Sequence, residues 1–303
     1  MINVSGLTRY FDSFCAVDQL SFDIKEGDIV GFLGPNGAGK STTMKMLTGF
    51  LAPSSGSVLI DNIDMLSDPV AAKKLIGYLP EGAPGYDEMM VVDFLRFIGQ
   101  IRGFSGDALT QRVAEVIAEV QLQDVLYKRI DMLSKGFKRR VGIAQAIFHN
   151  PKILILDEPT DGLDPNQKHQ VRQLIQGMSK DRIIIVSTHI LEEVTAVCNR
   201  AMIIARGKKL FDGTPKELLE KSKQHNAIAL TLDQAVDTSA FDALPEISEV
   251  MRTSDNEWLL IGDGPKALHK VVDELKKQSV QPLHLAIEQG QLDDVFRMMT
   301  EGK

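Results

Sequence analysis

The sequence has few cysteines and no long apolar segment, and both absences restrict what the chain can be. Among its 303 residues only Cys15 and Cys198 are cysteines, and their separation fits no metal-binding spacing or compact disulfide framework. We therefore expect two reduced, packed thiols. No apolar run approaches the roughly 18 to 20 residues of a membrane-spanning helix, and the N-terminal residues MINVSGLTRYF lack a secretory-signal pattern. The chain is expected to stay in the cytoplasm.

Basic residues are scarce relative to acidic ones. The 34 lysines and arginines face 41 aspartates and glutamates, so the formal net charge is −7. Because broad nucleic-acid-binding surfaces are positively charged, nucleic acid is not an expected partner. The 44% of hydrophobic residues are enough for one large folded unit and a smaller one.

Short apolar segments bounded by turn residues predict a parallel α/β sheet. The segments IVGFL (29–33), KILIL (152–156) and RIIIVS (182–187) are typical of strands buried on both faces. Residues 84–135 instead have helical periodicity with little strand pattern. We expect a helical insertion between the first two strands.

The pattern changes again near the polar residues 220–226, which predict a domain boundary. Short strand and helix patterns then alternate in a βαββαβ-like order, which is typical of a small split βαβ, ferredoxin-like α+β domain. The expected domains are 1–222 and 225–303.

The sequence GPNGAGKST lies between the first strand pattern and a helix-like segment. Gly34, Gly39, Lys40 and Ser41 satisfy the spacing G-x-x-x-x-G-K-[ST] of a phosphate-binding loop. Glycines let backbone N–H groups approach phosphate oxygens, the lysine reaches the β- and γ-phosphates, and the serine can ligate Mg²⁺. The loop alone does not distinguish an ATPase from a GTPase or a kinase.

Two adjacent carboxylates follow the strand pattern ILIL. Asp157 and Glu158 are costly to bury without a cation or partner, and side-chain alternation points them in different directions. Asp157 is therefore expected to hold Mg²⁺, directly or through water, and Glu158 to act as the general base. His189 also follows a predicted strand, where α/β ligand sites gather, but a single histidine leaves a structural role open.

A second anion site is predicted where Ser134 and Gly136 open a helix-like segment that begins near Phe137. One nucleotide does not need both this helix start and the phosphate loop. Both sites have a use if two copies face each other and each supplies its Ser134 end to the other's nucleotide. A twofold dimer achieves this with one self-complementary surface.

This ordered set of motifs resembles the nucleotide-binding subunit of ABC transporters, over about residues 1–220. The resemblance rests on GPNGAGKST, LSKGF, ILILDEP, GLDP and STH. It implies an α/β P-loop NTPase of ABC ATPase type, with Asp157 supporting Mg²⁺, Glu158 as catalytic base and His189 contacting the γ-phosphate. The nucleotide-binding residues that it implies are Phe11, Gly34, Pro35, Asn36, Gly37, Ala38, Gly39, Lys40, Ser41, Thr42, Ser134, Gly136 and Asp164. Phe11 best fits the aromatic position that stacks on adenine, with Tyr10 as the neighbouring alternative.

Two departures from the family pattern concern the signature and the Mg²⁺-sensing position. Lys135 and Phe137 replace a glycine and a glutamine of the usual signature, while Ser134 and Gly136 remain. Glu81 replaces the family's Mg²⁺-sensing glutamine, and a carboxylate there can still ligate Mg²⁺. The segments IGYLPE and LDDVFRMMT are similar to the single-cassette subunits of bacterial exporters.

The resemblance thus implies an ATP-hydrolysing motor subunit that pairs as a homodimer or with a second cassette and drives a separate integral membrane permease. The chain would lie in the cytoplasm, on the inner face of the membrane. Residues 81–105 would carry motion to the permease, and Tyr86, Met89, Met90 and Phe94 would either line a docking groove or form local core. For residues 225–303 the expectation is dimer support or regulation.

Two other classes of protein share part of this motif set. A GTPase or small kinase shares the phosphate loop, but the sequence has no N-K-x-D segment, and neither class explains the signature-like helix start. The alternative function is a soluble ABC-type ATPase of translation or DNA repair. Such proteins usually carry two cassettes, long coiled coils or zinc modules, none of which is evident here.

Overall fold

The computed structural model of the chain describes residues 1–82, 85–233 and 238–301. They form two compact units, Met1–Pro215 and Lys216–Lys303. No helix within the described ranges combines the length and hydropathy of a membrane-spanning segment.

Within its described residues the first unit contains ten strands, seven α-helices and three short 3-10 helices. Its strands are β1 (Ile2–Phe11), β2 (Phe14–Ile24), β3 (Ile29–Leu33), β4 (Ser55–Ile60), β5 (Ile63–Asp64), β6 (Ile76–Leu79), β7 (Ile153–Asp157), β8 (Ile183–Thr188), β9 (Arg200–Ala205) and β10 (Lys208–Gly213). Its helices are α1 (Lys40–Leu47), α2 (Pro69–Lys74), α3 (Val91–Ile101), α4 (Gly106–Glu119), α5 (Lys135–Ile147), α6 (Pro165–Gly177) and α7 (Leu191–Val197). Helix α8 (Pro215–Leu219) follows.

The central sheet has the strand order β10–β9–β3–β8–β7–β6. Its strands pair in parallel except for the edge strand β10, which is antiparallel to β9. Every residue of β3, β7 and β8 is buried, as a sheet covered on both faces requires. These three strands coincide, within one residue at each end, with the three apolar segments that predicted them.

A second sheet, with the order β2–β1–β4–β5, is antiparallel. It was not predicted from the sequence. Its inward residues, including Val4, Leu20 and Val58, join the core cluster that contains Phe32 and Ile155 of the central sheet. The core of the first unit is thus shared by an antiparallel and a mostly parallel sheet.

The carboxyl ends of β3, β7 and β8 lie side by side. Leu33 pairs in register with Thr188, and Asp157 with Ser187. Because parallel strands place the residues that follow them at one edge, the phosphate loop, the two acids and His189 all leave the sheet together. This topology brings the predicted site residues to one edge of the sheet.

Helices α3 and α4 lie in the predicted insertion, residues 84–135, whose first residue, Pro84, lies outside the described residues. Helix α3 is amphipathic and buries Phe94 and Leu95. A Cβ at Gly99 would lie 2.3 Å from Leu109 Cδ1, so glycine allows the close approach of α3 and α4.

The second unit is built on one antiparallel sheet. Its elements are β11 (Ile228–Leu232), α9 (Ser239–Asp242), β12 (Ile247–Ser254), β13 (Glu257–Gly262), α10 (Gly264–Lys277), β14 (Pro282–Ile287) and α11 (Leu292–Glu301). The strand order is β12–β13–β11–β14. Its own core includes Leu230, Phe241, Leu260 and Val271, none of which belongs to the cassette core cluster.

Candidate active site

The phosphate loop connects β3 to α1. Gly37 and Gly39 have φ values of 78° and 100°, a conformation that favours glycine. A Cβ at Gly39 would also lie 2.5 Å from Ala16 O, so this position has no room for another residue. Because Gly39 has no side chain to accept a capping hydrogen bond, the first N–H groups of α1 are suited to donate to an anion.

Lys40 is buried beside this loop. Only 6% of the residue is exposed, and its Nζ donates to Gly34 O at 2.7 Å. The Glu158 Oε1 atom lies 3.9 Å from the ammonium. Burial lowers the pKa of Lys40, while the negative charges of Glu158, Asp157 and Glu81 oppose that shift. The cation is therefore held in place before any phosphate arrives.

Glu158 directly follows β7 with a φ of 50°, which is uncommon for a residue with a side chain. Its N–H donates to Ser187 O at 3.0 Å, and its Oε2 lies 3.0 Å from His189 Nδ1. Burial raises the pKa of the Glu158 carboxyl, and the bond from His189 partly opposes the rise. A carboxylate with a raised pKa beside a cleft is suited to proton transfer.

Asp157 takes a different direction from its neighbour. It is 1% exposed, and its Oδ1 accepts a hydrogen bond from the Ser187 hydroxyl. The Ser41 hydroxyl lies 3.5 Å from the same Oδ1 atom. The serine of the phosphate loop and the buried acid thus place two oxygen donors together.

The phosphate loop, Glu158 and His189 open into one cleft of about 640 Å³. Its lining residues are Phe11, Phe14, Ala16, Pro35, Asn36, Gly37, Ala38, Gly39, Lys40, Ser41, Thr42, Glu81, Glu158, Asp161 and His189. The structure therefore brings together the predicted phosphate loop, the predicted base, the histidine, Glu81 and Phe11. Gly34 contributes its carbonyl oxygen to Lys40 instead of lining the cleft.

Sequence reasoning missed a second aromatic residue at the cleft. Phe11 and Phe14 face each other across the turn that joins β1 to β2, and they are 43% and 62% exposed. Tyr10, the alternative to Phe11, pairs with Cys15 and is absent from the described lining of the cleft. The signal was the spacing F-D-S-F, in which two residues form a hairpin turn between paired aromatic positions.

Arg139 was also missed. It lies on α5, is 7% exposed and donates from Nη1 to Gly82 O at 2.9 Å, next to Glu81. Burial lowers its pKa, opposed chiefly by the charges of Asp161 and Glu158. No motif identifies this residue, because its contact with Gly82 joins segments that are far apart in the sequence.

Ser134, Gly136 and Asp164 lie elsewhere and are absent from the described lining of the cleft. Ser134 caps α5, accepting from Phe137 N at 3.4 Å, and Asp164 caps α6, accepting from Gln167 N at 3.0 Å. A Cβ at Gly136 would lie 2.8 Å from Gln167 Cδ. The starts of α5 and α6 therefore adjoin and form a surface separate from the chain's own cleft.

Comparisons with known proteins agree with this geometry. A family model described as ABC transporter matches residues 17–161. The uncharacterized ABC transporter ATP-binding protein YxlF of Bacillus subtilis is 35% identical over 237 residues, which are 78% of each chain. The linearmycin resistance ATP-binding protein LnrL of Bacillus subtilis is 29% identical over 306 residues, covering 99% of this chain and 98% of LnrL.

Solved structures give the same result. CbiO1 from Clostridium perfringens, part of the ABC transporter complex cbiONQ, superposes with a TM-score of 0.67 at 29% identity and covers 73% of this chain and 90% of its own. The dimeric bacterial ABC transporter cassette MJ0796 superposes with a TM-score of 0.65 at 25% identity, covering 71% and 99%. Together with the phosphate loop, Glu158 and His189 in one cleft, these findings establish that the chain belongs to the ABC transporter ATP-binding proteins, as the subunit that couples ATP hydrolysis to transport.

Proposed function

We propose that this chain is the motor subunit of an exporter, in which Glu158 activates the water that attacks ATP. The observation that carries the catalytic assignment is the convergence of Lys40 and His189 on one carboxylate, at 3.9 and 3.0 Å. As water oxygen bonds to the γ-phosphorus and ADP leaves, the water proton passes to Glu158. Lys40 offsets charge on the β- and γ-phosphates, and His189 contacts the γ-phosphate.

The nucleotide would enter with its phosphates on the loop and its base toward the β1–β2 hairpin. Phe11 and Phe14 are exposed aromatics on the wall of the same cleft, and both offer a ring on which adenine can stack. We assign adenine contact to Phe11, with Phe14 as a second wall.

Mg²⁺ fits the oxygen donors that the cleft provides. No group of three or more His, Cys, Asp and Glu side chains suited to a metal occurs among the described residues. Mg²⁺ does not need one, since it is commonly bound by one or two carboxylates together with phosphates and waters. Ser41 and Asp157 would hold the ion, with Glu81 at the cleft wall as a further ligand. When bound, Mg²⁺ would neutralise charge on the β- and γ-phosphates.

Replacing Glu158 by glutamine tests the catalytic assignment. The amide keeps the shape of the side chain but cannot accept the proton, so hydrolysis should fall by roughly 100- to 10,000-fold. ATP affinity should be retained because Lys40 and the loop are intact. Glu192→Gln, at an exposed position on α7, is the matched control. Phosphate release near the wild-type rate in Glu158→Gln, with ATP bound normally, would contradict the assignment.

Two copies are proposed to close on two ATP molecules. Ser134, Gly136 and Asp164 lie outside the chain's own cleft, which is the arrangement expected if they serve the nucleotide of a partner copy. The dimeric cassette MJ0796 supports this. Because Glu158→Gln would trap ATP, ATP should increase its dimer fraction in light scattering, and a fraction that does not change with ATP would count against closure.

Export and membrane docking rest on different observations. LnrL, which by its name serves linearmycin resistance, matches the chain over nearly its whole length, including the second unit. We place the chain on the cytoplasmic face of a membrane, bound to a permease through the insertion. Tyr86, Met90 and Met132 are 58%, 42% and 76% exposed and are suited to docking, whereas Phe94 is 2% exposed and belongs to the core.

We further propose that the cassette and the second unit are separate domains. The strand order β12–β13–β11–β14, with α10 between β13 and β14, supports a split βαβ, ferredoxin-like arrangement. The second unit would support the dimer or regulate it.

A further inference from the structure

Glu193 is a buried carboxylate outside the cleft, four residues after His189 in the sequence. Glu193 lies on α7, and its side chain is 3% exposed. Two hydroxyls donate to it: Thr160 Oγ1 to Oε1, and Thr188 Oγ1 to Oε2 at 2.8 Å. Arg172 Nη2 lies 3.9 Å from Oε1. Burying a carboxylate is costly unless hydrogen bonds and a cation compensate, and Glu193 has both.

The two threonines belong to the two segments that carry the reacting groups. Thr160 is two residues after Glu158, and Thr188 directly precedes His189. Both are buried, at 2% and 0% exposure. The Thr188 hydroxyl also accepts from Ile190 N at 3.0 Å, so it fixes the backbone on both sides of His189. Each oxygen of Glu193 thus bonds to one segment.

We propose that Glu193 is a positioning residue that sets the distance and orientation between Glu158 and His189. It joins the segment after β7 to the last residue of β8, which directly precedes His189, and Glu158 Oε2 lies 3.0 Å from His189 Nδ1. The inference rests on the catalytic roles proposed above for Glu158 and His189.

The backbone conformation of Glu158 explains why the two segments must be held together. Glu158 adopts a φ of 50°, and an uncommon conformation persists only where the surrounding structure fixes it. The bond from Glu158 N to Ser187 O fixes it from one side. The Thr160–Glu193–Thr188 bridge fixes the same pair of segments from the other side. A catalytic group displaced by about 1 Å can lose on the order of 100-fold in rate.

Glu193→Gln is the direct test. The carboxamide has the same shape but one acceptor oxygen, so it can satisfy only one of the two threonine donors. With the full-length chain, kcat should fall roughly tenfold to 100-fold while the Kd for ATP stays unchanged, because the phosphate loop is untouched. Glu192→Gln, one residue earlier and exposed, should leave both quantities unchanged. A purely structural role would lower the thermal midpoint but not kcat per bound nucleotide.

A double-mutant cycle tests whether Glu193 acts through Thr160. Thr160→Val removes one of the two bonds and should lower kcat on its own. If Glu193 acts through Thr160, adding Thr160→Val to Glu193→Gln should lower kcat by less than Thr160→Val does in the wild type. Independent, multiplying losses would overturn the proposal, as would a kcat for Glu193→Gln equal to that of Glu192→Gln.

Thr160→Val and Glu158→Gln cover the remaining outcomes. If Glu193→Gln does not fold, Thr160→Val decides alone: reduced kcat with normal ATP affinity supports the proposal, and unchanged kcat overturns it. If Glu158→Gln hydrolyses ATP normally, the proposed base is wrong and the positioning role is overturned with it. If Glu158→Gln is inactive but Glu193→Gln is fully active, only the positioning role is overturned.

Discussion

Replacing Lys40 by alanine should weaken ATP binding by about 10- to 150-fold. The ammonium would make a charge-assisted hydrogen bond to the phosphates, which is worth about 1.5 to 3 kcal/mol. Since about 1.4 kcal/mol corresponds to a tenfold change in Kd, that range gives the expected loss. The structure favours the upper part of the range, because Lys40 is already buried and held by Gly34 O at 2.7 Å. Little further desolvation or ordering is needed on binding.

The same substitution has a second consequence at Glu158. The positive charge of Lys40 lowers the pKa of that carboxyl, against the larger raising effect of burial. Without Lys40 the pKa of Glu158 should rise further, so any remaining hydrolysis should need a higher pH.

Calorimetric titration with ATP, followed by phosphate release at several pH values, measures both effects. Lys45→Ala is the matched control, since Lys45 is exposed in the last turn of the same helix. An ATP affinity for Lys40→Ala within about twofold of wild type would refute the reasoning, because the loss of even the weakest charge-assisted bond exceeds that factor.

Three further predictions follow from the structure. Burial raises the pKa of the Glu158 carboxyl, and the base must be ionised to accept a proton. kcat should therefore fall as the pH drops, with a midpoint above the ordinary pKa of glutamate. A midpoint at or below that pKa would contradict the assignment of Glu158 as the base. Burial lowers the pKa of His149 from 6.5 to about 4, so the unfolded state binds a proton at a higher pH than the folded state does. The free energy of unfolding should therefore fall as the pH drops from about 6.5 to about 4. Urea unfolding at several pH values measures this dependence, and His149→Gln should reduce it. Tyr86→Asp should leave ATPase activity of the isolated subunit intact but weaken membrane association, whereas loss of folding would indicate a core role.

Much of the site could be predicted because its chemistry is local in sequence. GPNGAGKST, the two acids after ILIL and His189 each follow an apolar strand pattern, and parallel strands bring such positions to one edge. The structure accordingly places the phosphate loop, Glu158 and His189 in one cleft, with Asp157 buried beside Ser41 of the loop. The catalytic and Mg²⁺-binding roles of these residues stay predictions.

Features that depend on tertiary contacts could not be predicted. The antiparallel sheet of β1, β2, β4 and β5 was not predicted, because register shifts in β1 interrupt the alternation of inward and outward side chains. Glu193 belongs to no motif, and its proposed positioning role rests on hydrogen bonds from Thr160 and Thr188, which the sequence does not reveal. The sequence left Phe94 open between a docking groove and local core, because an apolar helix residue has the same sequence pattern in both; its 2% exposure places it in the core.

The central claim is that two copies share each ATP site, and a mixing experiment tests it most directly. Ser134→Arg blocks the signature surface by bulk, and Lys40→Ala damages the phosphate loop, so each homodimer has two damaged sites. A mixed dimer restores one good site and leaves the other doubly damaged. With free exchange half of the dimers in a 1:1 mixture are mixed, so at most about a quarter of wild-type sites return under twofold symmetry. Phosphate release should therefore rise above both end points as the mixing ratio approaches equality. A straight line between the two end points, with exchange of copies confirmed separately, would contradict the shared-site account.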